Sequence, residues 1–376
     1  MTPVVGPAAS RPAPVAPLRL AFIGTGNVAQ SYGAAVRRLM TAGRPVSLVS
    51  VCGRRREATQ DFAARHGVTS FTDSPRTIFA DEAVDAVVIL TPMQTHQELV
   101  TQSLAAGKHV FVEKTMADHP DAARALVDQA RRAGLTLRAA PATPLSPVFK
   151  AARQVIAAGE IGRPVGARAV YGWAGPDWEG WFYERGAGPL RDLGVYALTT
   201  LTGLLGPISG VQAMGVRAEA WRRIGDAVAA MTEPDMFTLN LKFRQGCLGA
   251  LMTGFSVQKL RTPGIEIYGT AGTLQFVGQD WNPLGLEVWT NEAACWRVTE
   301  HAGEWDWTDG LCDFCEALLS GRAPQSDLGQ TLHVLDIIAA AEASAGSGQH
   351  VGVESEFTLP ANPVPAAAAR PHRIHK

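Results

Sequence analysis

The pattern of apolar and polar positions changes at residue 24, close to the beginning of the chain. Residues 18–23 form an apolar run that is too short for a helix and ends at a glycine. From Asn27 onward the apolar positions recur with the period of an amphipathic helix. The sequence therefore predicts a strand, a tight turn and a helix. The turn has the form G-x-G-x-x-A, and its residues are Gly24, Thr25, Gly26, Asn27, Val28 and Ala29.

A turn of this form is typical of dinucleotide-binding domains. Gly24 permits the tight turn, Gly26 lets a pyrophosphate approach the backbone, and the small Ala29 lets the helix pack on the strand. The phosphates would lie at the helix N-terminus, where free N–H groups and the helix dipole favour negative charge. We therefore predict that Gly24, Gly26, Asn27 and Val28 contact a dinucleotide cofactor.

The same alternation of strand and helix patterns continues along the first part of the chain. Apolar strand patterns at 46–53, 84–92, 108–114 and 135–140 alternate with helical patterns, which include 95–107 and 119–134. Alternation of this kind predicts a doubly wound parallel sheet with helices on both faces, the Rossmann type of α/β domain. We assign this domain to residues 18–141.

The end of the second predicted strand indicates which dinucleotide is bound. NAD-binding domains usually carry an acidic residue there, which holds the ribose hydroxyls. This chain has Gly53, Arg54 and Arg55 instead. Because arginine pairs with a 2′-phosphate and an acid repels it, Arg54 and Arg55 favour NADP, with NAD still possible. The alternative is that these arginines only begin a solvated helix.

Length and composition bound the rest of the protein. A chain of 376 residues is too long for one ordinary core, so a second domain is expected over 142–350. Segments 1–17 and 351–376 are rich in proline and alanine and are interpreted as tails. The first tail lacks the basic and leucine-rich regions of a signal peptide, and the five cysteines give no disulfide framework. These features predict a cytoplasmic protein.

Charge and hydropathy argue against several kinds of partner. The net charge of −1 and the short, scattered basic clusters argue against nucleic acid, and no apolar run is long enough to span a membrane. Cys312 and Cys315 have metal-like spacing, but they lie in an amphipathic helical pattern without a second ligand pair, so core packing is expected and no metal site is predicted. His333 is interpreted as a residue on a helix face.

The segment "TPMQTHQELVTQSLAAGKHVFVEKTMADHP" resembles the signature of the Gfo/Idh/MocA oxidoreductases. The family pattern is T-P-N-x-x-H, a helix, and then G-K-H-V-x-x-E-K-P. The chain differs from it at Met93, where the family has asparagine, and at Thr115, where it has proline. The matching positions are Thr91, Pro92, His96, Gly107, Lys108, His109, Glu113 and Lys114. The resemblance implies that Thr91, Pro92, His96, Glu113 and Lys114 belong to the cofactor site.

The resemblance also implies the architecture of the second domain, an α+β fold with a large open, mainly antiparallel sheet. Six strand patterns agree with this expectation, at 164–173, 236–243, 247–256, 264–270, 272–278 and 286–290. Two terminal helices, at about 309–320 and 327–345, would pack back toward the first domain. Because an open sheet face in this fold commonly pairs with another subunit, a homodimer or homotetramer is expected.

An acid and a phenol stand four positions apart in "GAGPLRDLGVYALTTLTGLLG", residues 186–206. On one helix Asp192 and Tyr196 would share a face. In the resembled family, a lysine of the E-K-P motif meets an aspartate and a histidine, or a tyrosine in the glucose–fructose oxidoreductase and dihydrodiol dehydrogenase subgroup. The resemblance therefore implies Lys114, Asp192 and Tyr196 as catalytic residues. The alternative is an aspartate near a helix N-terminus and a packed tyrosine.

These three groups suit hydride transfer at an alcohol carbon, because the hydroxyl proton must leave as the carbonyl forms. Phenol and ammonium groups ordinarily have pKa values near ~10, so either needs a neighbouring charge or desolvation to act as a base at neutral pH. A nearby loop carries Trp173, Trp178, Trp181, Phe182 and Tyr183. Aromatic faces suit the C–H faces of a sugar ring, although core or interface packing would also explain them.

The sequence thus predicts an NAD(P)-dependent oxidoreductase acting on a sugar, cyclitol or similar polyol. Two other functions remain open at this point. One is a redox-assisted lyase or glycosidase that keeps its nucleotide bound. The other is a non-catalytic NAD(P)-linked sensor, which the joint presence of Lys114, Asp192 and Tyr196 disfavours.

Overall fold

The computed structural model describes residues 17–261, 264–279, 282–299, 305–325 and 327–359. Most of segment 1–17 and residues 360–376 of the C-terminal tail lie outside the described residues. Two sheets organise the described part of the chain, and each has its own core.

The first sheet is parallel and has the strand order β3-β2-β1-β4-β5-β6. Its apolar strands are buried from both sides, as expected for a parallel sheet between helices. The strands are β1 (Leu18–Ile23), β2 (Val46–Cys52), β3 (Ser70–Thr72), β4 (Ala86–Ile89), β5 (His109–Val112) and β6 (Leu137–Ala139). The helices between them are α1 (Asn27–Thr41), α2 (Arg56–His66), α3 (Pro75–Ala80), α4 (His96–Ala105) and α5 (Pro120–Ala133). This is the Rossmann order, so the predicted fold class of the first domain is confirmed.

The second sheet is mixed and mainly antiparallel, with nine strands in the order β16-β15-β14-β13-β7-β12-β11-β8-β17. Among the described strands, β7 and β12 form its parallel pair. Its strands are β7 (Pro164–Gly172), β8 (Ile208–Val216), β11 (Met236–Phe243), β12 (Leu248–Gly254), β13 (Ile265–Gly269), β14 (Gly272–Gln279), β15 (Asn282–Thr290), β16 (Cys295–Thr299) and β17 (Val351–Gly352). A separate hairpin joins β9 (Trp221–Ile224) to β10 (Ala227–Ala230).

One face of the second sheet is covered and the other is open. The core on the covered face is built with α6 (Pro147–Ala157), α7 (Val195–Leu205) and α9 (Leu328–Ser347). On the open face the outward-pointing side chains of alternate strand positions remain exposed. They include Met214, Val216, Leu248, Tyr268, Trp296 and Val298. The predicted open sheet of the second domain is therefore confirmed.

The last part of the chain returns to the first domain. Helix α8 (Asp309–Ser320) places Leu311, Phe314 and Cys315 in the same apolar cluster as Phe22 and Phe111 of the first sheet. Arg38 of α1 pairs with Asp306 and Asp309 at its edge. The first domain thus receives one of its covering helices from the end of the chain.

Three side chains whose roles were uncertain from the sequence lie in packed helices. Cys315 is fully buried in α8, and burial raises the pKa of the half-buried Cys312 thiol to about 11. Among the described residues, no group of three or more His, Cys, Asp and Glu side chains is arranged to hold a metal ion. His333 lies on α9 as predicted, but it is fully buried, and its Nε2 accepts a hydrogen bond from Ile208 N at 2.9 Å.

None of the described helices is long and apolar enough to cross a membrane.

Candidate active site

The candidate site lies where the carboxyl ends of β1, β4 and β5 meet the beginning of α7. In a doubly wound sheet this edge, at the point where strand order reverses between β1 and β4, is where ligands bind. The residues contributed by the first domain follow these strands directly: Gly24 follows β1, Thr91 follows β4, and Glu113 and Lys114 follow β5. Asp192 and Tyr196 come from the second domain.

The glycine turn after β1 has the geometry of an anion cradle. Gly24 has φ 106°, a conformation that side chains rarely adopt, and a Cβ there would lie 2.5 Å from Leu90 O. A Cβ at Gly26 would meet nothing within 4 Å. Helix α1 begins at Asn27 without a side-chain cap or an acidic residue in its first turn. Because Gly26, Asn27 and Val28 are exposed, the open N–H groups of this helix end can receive a pyrophosphate.

The turn after β2 is packed so that it excludes an acidic side chain at its first position. A Cβ at Gly53 would lie 2.3 Å from Thr59 Oγ1 and 2.6 Å from Thr25 Oγ1. Arg54 and Arg55, which follow, are exposed, and Arg55 immediately precedes α2. This end of β2 therefore presents two cations where an NAD-specific domain presents a carboxylate.

The loop after β4 is held by a buried histidine. His96 has no exposed surface, and its two ring nitrogens lie 2.8 Å from Thr115 O and 2.9 Å from Thr91 O. Burial lowers the pKa of His96, whereas the two carbonyl oxygens that face its ring nitrogens act in the opposite direction. Thr91 and Pro92 are partly exposed at the site's edge. His96 therefore lies beneath the surface that Thr91 and Pro92 form, where it contacts the backbone of the loops that follow β4 and β5.

Lys114 of the first domain contacts Asp192 of the second. Its Nζ lies 2.5 Å from Asp192 Oδ1, and the two side chains are 13% and 9% exposed. The same Nζ lies 5.5 Å from the centroid of the Tyr196 ring. The three residues implied as catalytic by the resemblance are therefore brought together. The Lys114–Thr115 peptide bond is cis.

The segment carrying Asp192 and Tyr196 is not one regular helix, in contrast to the expectation from the sequence. Leu190–Gly194, which includes Asp192, forms a π-helical turn, and Tyr196 lies in the first turn of α7. Gly194 fits tightly here, because a Cβ would lie 3.3 Å from Thr253 Cγ2 of β12. A π-helical turn re-aims the side chains around it and recurs at functional sites. Asp192 still contacts Lys114, and the Tyr196 ring still lies beside the Lys114 Nζ.

The charge of Lys114 is maintained by the carboxylates around it. Burial opposes the ammonium form, but Asp192 and Glu113 together raise the pKa of Lys114 above its ordinary value. Lys114 is therefore a cation at neutral pH and has no lone pair with which to accept a proton. Of the three grouped residues, this leaves Tyr196 as the group suited to exchange a proton, with Lys114 as a fixed positive charge beside it.

Glu113 has a partner that the sequence analysis did not identify. The hydroxyl of Tyr32 on α1 donates to Glu113 Oε1 at 2.5 Å, and Glu113 Oε2 accepts a hydrogen bond from Lys114 N at 3.1 Å. Tyr32 is fully buried and Glu113 is 6% exposed. Glu113 thus supports Lys114 from below, with both oxygens occupied. No local signal in the sequence indicates this pair, because the two residues are 81 positions apart.

Replacement of Tyr32 by phenylalanine should destabilise the protein by roughly 1.5–3 kcal/mol, because a hydrogen bond to a buried carboxylate is lost. Chemical denaturation would measure this change in the free energy of unfolding. Thr101→Val is the control, since the Thr101 hydroxyl donates to Gln97 O on the exposed surface of α4. Equal effects of the two substitutions would contradict a special role for the buried bond.

The aromatic loop, residues 173–183, borders the same site. Trp173 and Trp178 stack with ring centroids 5.6 Å apart, and Trp181 stacks on Phe182 at 3.7 Å. Trp173, Phe182 and Tyr196 all pack against one apolar cluster, whose buried members are Tyr171, Tyr183, Leu193, Met231 and Phe255. Gln94 of the first domain donates to Trp181 O at 3.0 Å. The aromatic loop therefore lies beside Tyr196 and is anchored across the cleft.

Models of known families match both halves of the chain. The family model described as "Oxidoreductase family, NAD-binding Rossmann fold", of the Gfo/Idh/MocA group, matches residues 18–140. A second model, described as "GFO/IDH/MocA C-terminal domain", matches residues 149–275. Together the two matches span more than half of the chain.

The sequence identity between this chain and individual relatives is low. A 1,5-anhydro-D-fructose reductase of Ensifer adhaerens is 29% identical over 262 residues, covering 68% of this chain and 74% of the relative. A trans-1,2-dihydrobenzene-1,2-diol dehydrogenase of Macaca fuscata fuscata is 27% identical over 279 residues, covering 72% and 78%. The structure of a levoglucosan dehydrogenase in complex with NADH and L-sorbose superposes with a TM-score of 0.81 at 20% identity, over 90% of this chain and 100% of that chain. The last likeness concerns the fold.

Proposed function

The chain belongs to the Gfo/Idh/MocA family of NAD(P)-dependent oxidoreductases, and on this premise we propose that it transfers a hydride between a nicotinamide dinucleotide and a sugar, cyclitol or similar polyol. The observation that carries the proposal is the grouping of Lys114, Asp192 and Tyr196 at the edge of the dinucleotide domain. The relatives named for a sugar reductase and a diol dehydrogenase support a hydroxyl-bearing substrate.

In the oxidation of an alcohol, each residue has a separate proposed role. The bound nicotinamide supplies the hydride acceptor. Tyr196 accepts the proton of the substrate hydroxyl as the carbonyl forms, and the fixed charge of Lys114 stabilises the phenolate that this role requires. Asp192 orients Lys114 through their 2.5 Å contact. The aromatic loop packs against the C–H faces of the substrate ring and excludes water.

A screen of polyols with NADP and NAD would test the proposal. Absorbance would report net formation of reduced nicotinamide, and the product's structure would be determined in parallel. Net reduction together with a carbonyl product is the expected result. Product without any net change of the nucleotide would identify a redox-assisted lyase or glycosidase instead, and binding of polyol without turnover would identify a sensor.

We also propose that the cofactor is NADP. The support is the pair of exposed cations Arg54 and Arg55, together with the tight packing that keeps a side chain out of position 53. No intramolecular ion pair of Arg54 or Arg55 is present among the described residues. Pairing with a 2′-phosphate would therefore not require either guanidinium group to leave an ion pair among the described residues.

Arg54→Asp should reverse or abolish the preference for NADP. Losing a charge-assisted contact and adding a repulsive charge should cost on the order of 1.5–3 kcal/mol of NADP binding, about 10–100-fold in affinity. Calorimetry with NADP and NAD would measure both affinities, with the exposed Arg65 of α2 changed to Asp as the control. Equal or tighter binding of NAD by the unmodified protein would refute the proposal.

The oligomeric state is proposed from the open sheet face. The exposed apolar side chains on it, together with a central polar cluster around Arg168 and Glu266, suit a second copy of the same surface in a homodimer or homotetramer. Leu248 lies on this face and is 63% exposed. Leu248→Asp would bury a carboxylate in the interface, which costs at least roughly 1–3 kcal/mol and weakens association about tenfold or more.

Light scattering over a range of protein concentrations would measure this weakening. Thr101→Asp, on the exposed surface of α4, is the control and should leave the mass unchanged. An unmodified protein that is monomeric throughout, or a Leu248→Asp variant that associates normally, would contradict the proposal.

A further inference from the structure

Arg222 is a mostly buried cation in the β9–β10 hairpin, most of whose other side chains are exposed. It lies in β9, within the hairpin whose two strands pair only with one another among the described residues. Its side chain is 11% exposed, and that of its ion-pair partner, Asp235, is 3% exposed. A buried charge of this kind requires compensating contacts, and those of Arg222 connect three separate segments of the chain.

The guanidinium group of Arg222 is hydrogen-bonded on two of its nitrogens. One terminal nitrogen donates to Asp235 Oδ2 at 2.6 Å, Ser256 Oγ at 2.7 Å and Phe255 O at 2.9 Å. The other donates to Ala174 O at 2.8 Å. The hairpin is thereby joined both to the residues that follow β12 and to the beginning of the aromatic loop.

Asp235 is itself held in place. Its Oδ1 accepts a hydrogen bond from Ala218 N at 2.6 Å, and its Oδ2 also accepts one from Ser256 Oγ at 3.2 Å. Ala218 lies just before β9, so the carboxylate ties the base of the hairpin to the start of β11. Arg222 is therefore held both by the backbone of β9 and by its ion pair with the fixed carboxylate of Asp235.

Arg222 also acts on the aromatic loop through a ring. Its guanidinium carbon lies 5.1 Å from the centroid of Tyr183, whose hydroxyl donates to Pro176 O at 2.8 Å. Tyr183 stacks edge-on against Phe255 at 5.4 Å. Both rings belong to the apolar cluster against which Tyr196 packs. A continuous set of contacts thus leads from Arg222 through the aromatic loop to the side of the catalytic tyrosine.

We propose that Arg222 is a positioning residue for the substrate: it fixes the aromatic loop beside Tyr196 and so determines substrate affinity without touching substrate or cofactor. The inference rests on the proposed function of the site. The first domain holds the same loop from the opposite side through Gln94 and Trp181 O. Arg222 supplies the side-chain anchor on the second domain, in addition to the backbone bonds from Gly225 N to Asp177 O and from Trp173 N to Gly254 O.

Three variants separate positioning from folding. Arg222→Lys keeps a charge for Asp235 but lacks the second arm that reaches Ala174 O. The double variant Arg222→Met/Asp235→Leu replaces the buried pair with apolar side chains, an exchange that often preserves stability. Arg223→Met is the matched control, since Arg223 is the next residue of the same strand and its side chain is exposed.

Steady-state kinetics on the intact protein should show a rise in KM for the polyol of roughly tenfold or more in the double variant, because small displacements of positioning groups have effects of this size. Arg222→Lys should give a smaller rise. The Kd for NADP and the melting temperature of the double variant should stay close to those of the unmodified protein. Arg223→Met should have normal KM and kcat.

Hydrogen exchange provides a second readout that needs no substrate. Amides of residues 174–188 should exchange faster in both Arg222 variants and not in Arg223→Met. Unchanged exchange of this segment in a folded double variant would overturn the inference, as would an unchanged KM. If the unmodified protein turns over no polyol, the proposed function fails, whereas the exchange result still decides whether Arg222 positions the loop.

Discussion

Tyr196→Phe is expected to lower kcat by roughly 10²–10⁴-fold, the usual effect of removing a general acid or base. The substitution removes one hydroxyl and leaves the ring, which packs edge-on against Tyr171 at 5.8 Å. NADP affinity and the free energy of unfolding should therefore change little. Asp192 and Glu113 raise the pKa of Lys114, so we do not expect Lys114 to take over the proton.

The measurement requires a substrate from the polyol screen and steady-state kinetics at several pH values. Tyr268→Phe, the same chemical change on the open sheet face, should leave kcat unchanged. A Tyr196→Phe variant with nearly normal kcat would return the tyrosine to the role of a packed aromatic residue. The proton would then have to move by another route.

Lys114→Met should reduce kcat by a comparable factor for a different reason. It removes the positive charge beside Tyr196 and leaves Asp192, at 9% exposure, without its partner. Electrostatic groups of this kind contribute about 10²–10³-fold to turnover when removed singly. The double variant Lys114→Met/Tyr196→Phe should be little worse than either single one, because residues that act as a unit are not additive.

Two further variants test whether the effect of Lys114→Met is due to the loss of its positive charge at this position. Lys150→Met changes an exposed lysine of α6 and should have normal kinetics. Asp192→Asn should reduce turnover less than Lys114→Met, since it leaves the ammonium group and weakens only its orientation. Additive losses in the double variant would show that Lys114 and Tyr196 act independently, contrary to the proposed mechanism.

Much of the fold follows from local patterns in the chain. The strands of the first sheet are short apolar runs, and each is followed by a turn and an amphipathic helix, so their order and type could be predicted. Some of the elements that the sequence did not predict lack such a pattern. Strand β8 contains two glycines and ends in exposed residues, and the β9–β10 hairpin depends on Arg222, whose contacts lie in distant segments.

The candidate site shows the same division. The motifs around Gly24, Thr91 and Lys114 are local, so the residues could be selected from the sequence. Their mutual geometry could not, because it depends on contacts between domains. The π-helical turn at Leu190–Gly194 is one example: leucines and glycines fit an ordinary α-helix equally well, and only packing against Thr253 distinguishes the two.

The return of α8 to the first sheet has a consequence for how the polypeptide folds as it is synthesised. A ribosome produces residues 18–141 well before residue 309. Until then Phe22 and Phe111 lack their contacts with α8. N-terminal domains usually fold first during translation. Here α8 can complete the first domain only after the second domain has been translated, and a nascent chain that stops between the two exposes to chaperones the part of the apolar cluster that α8 covers.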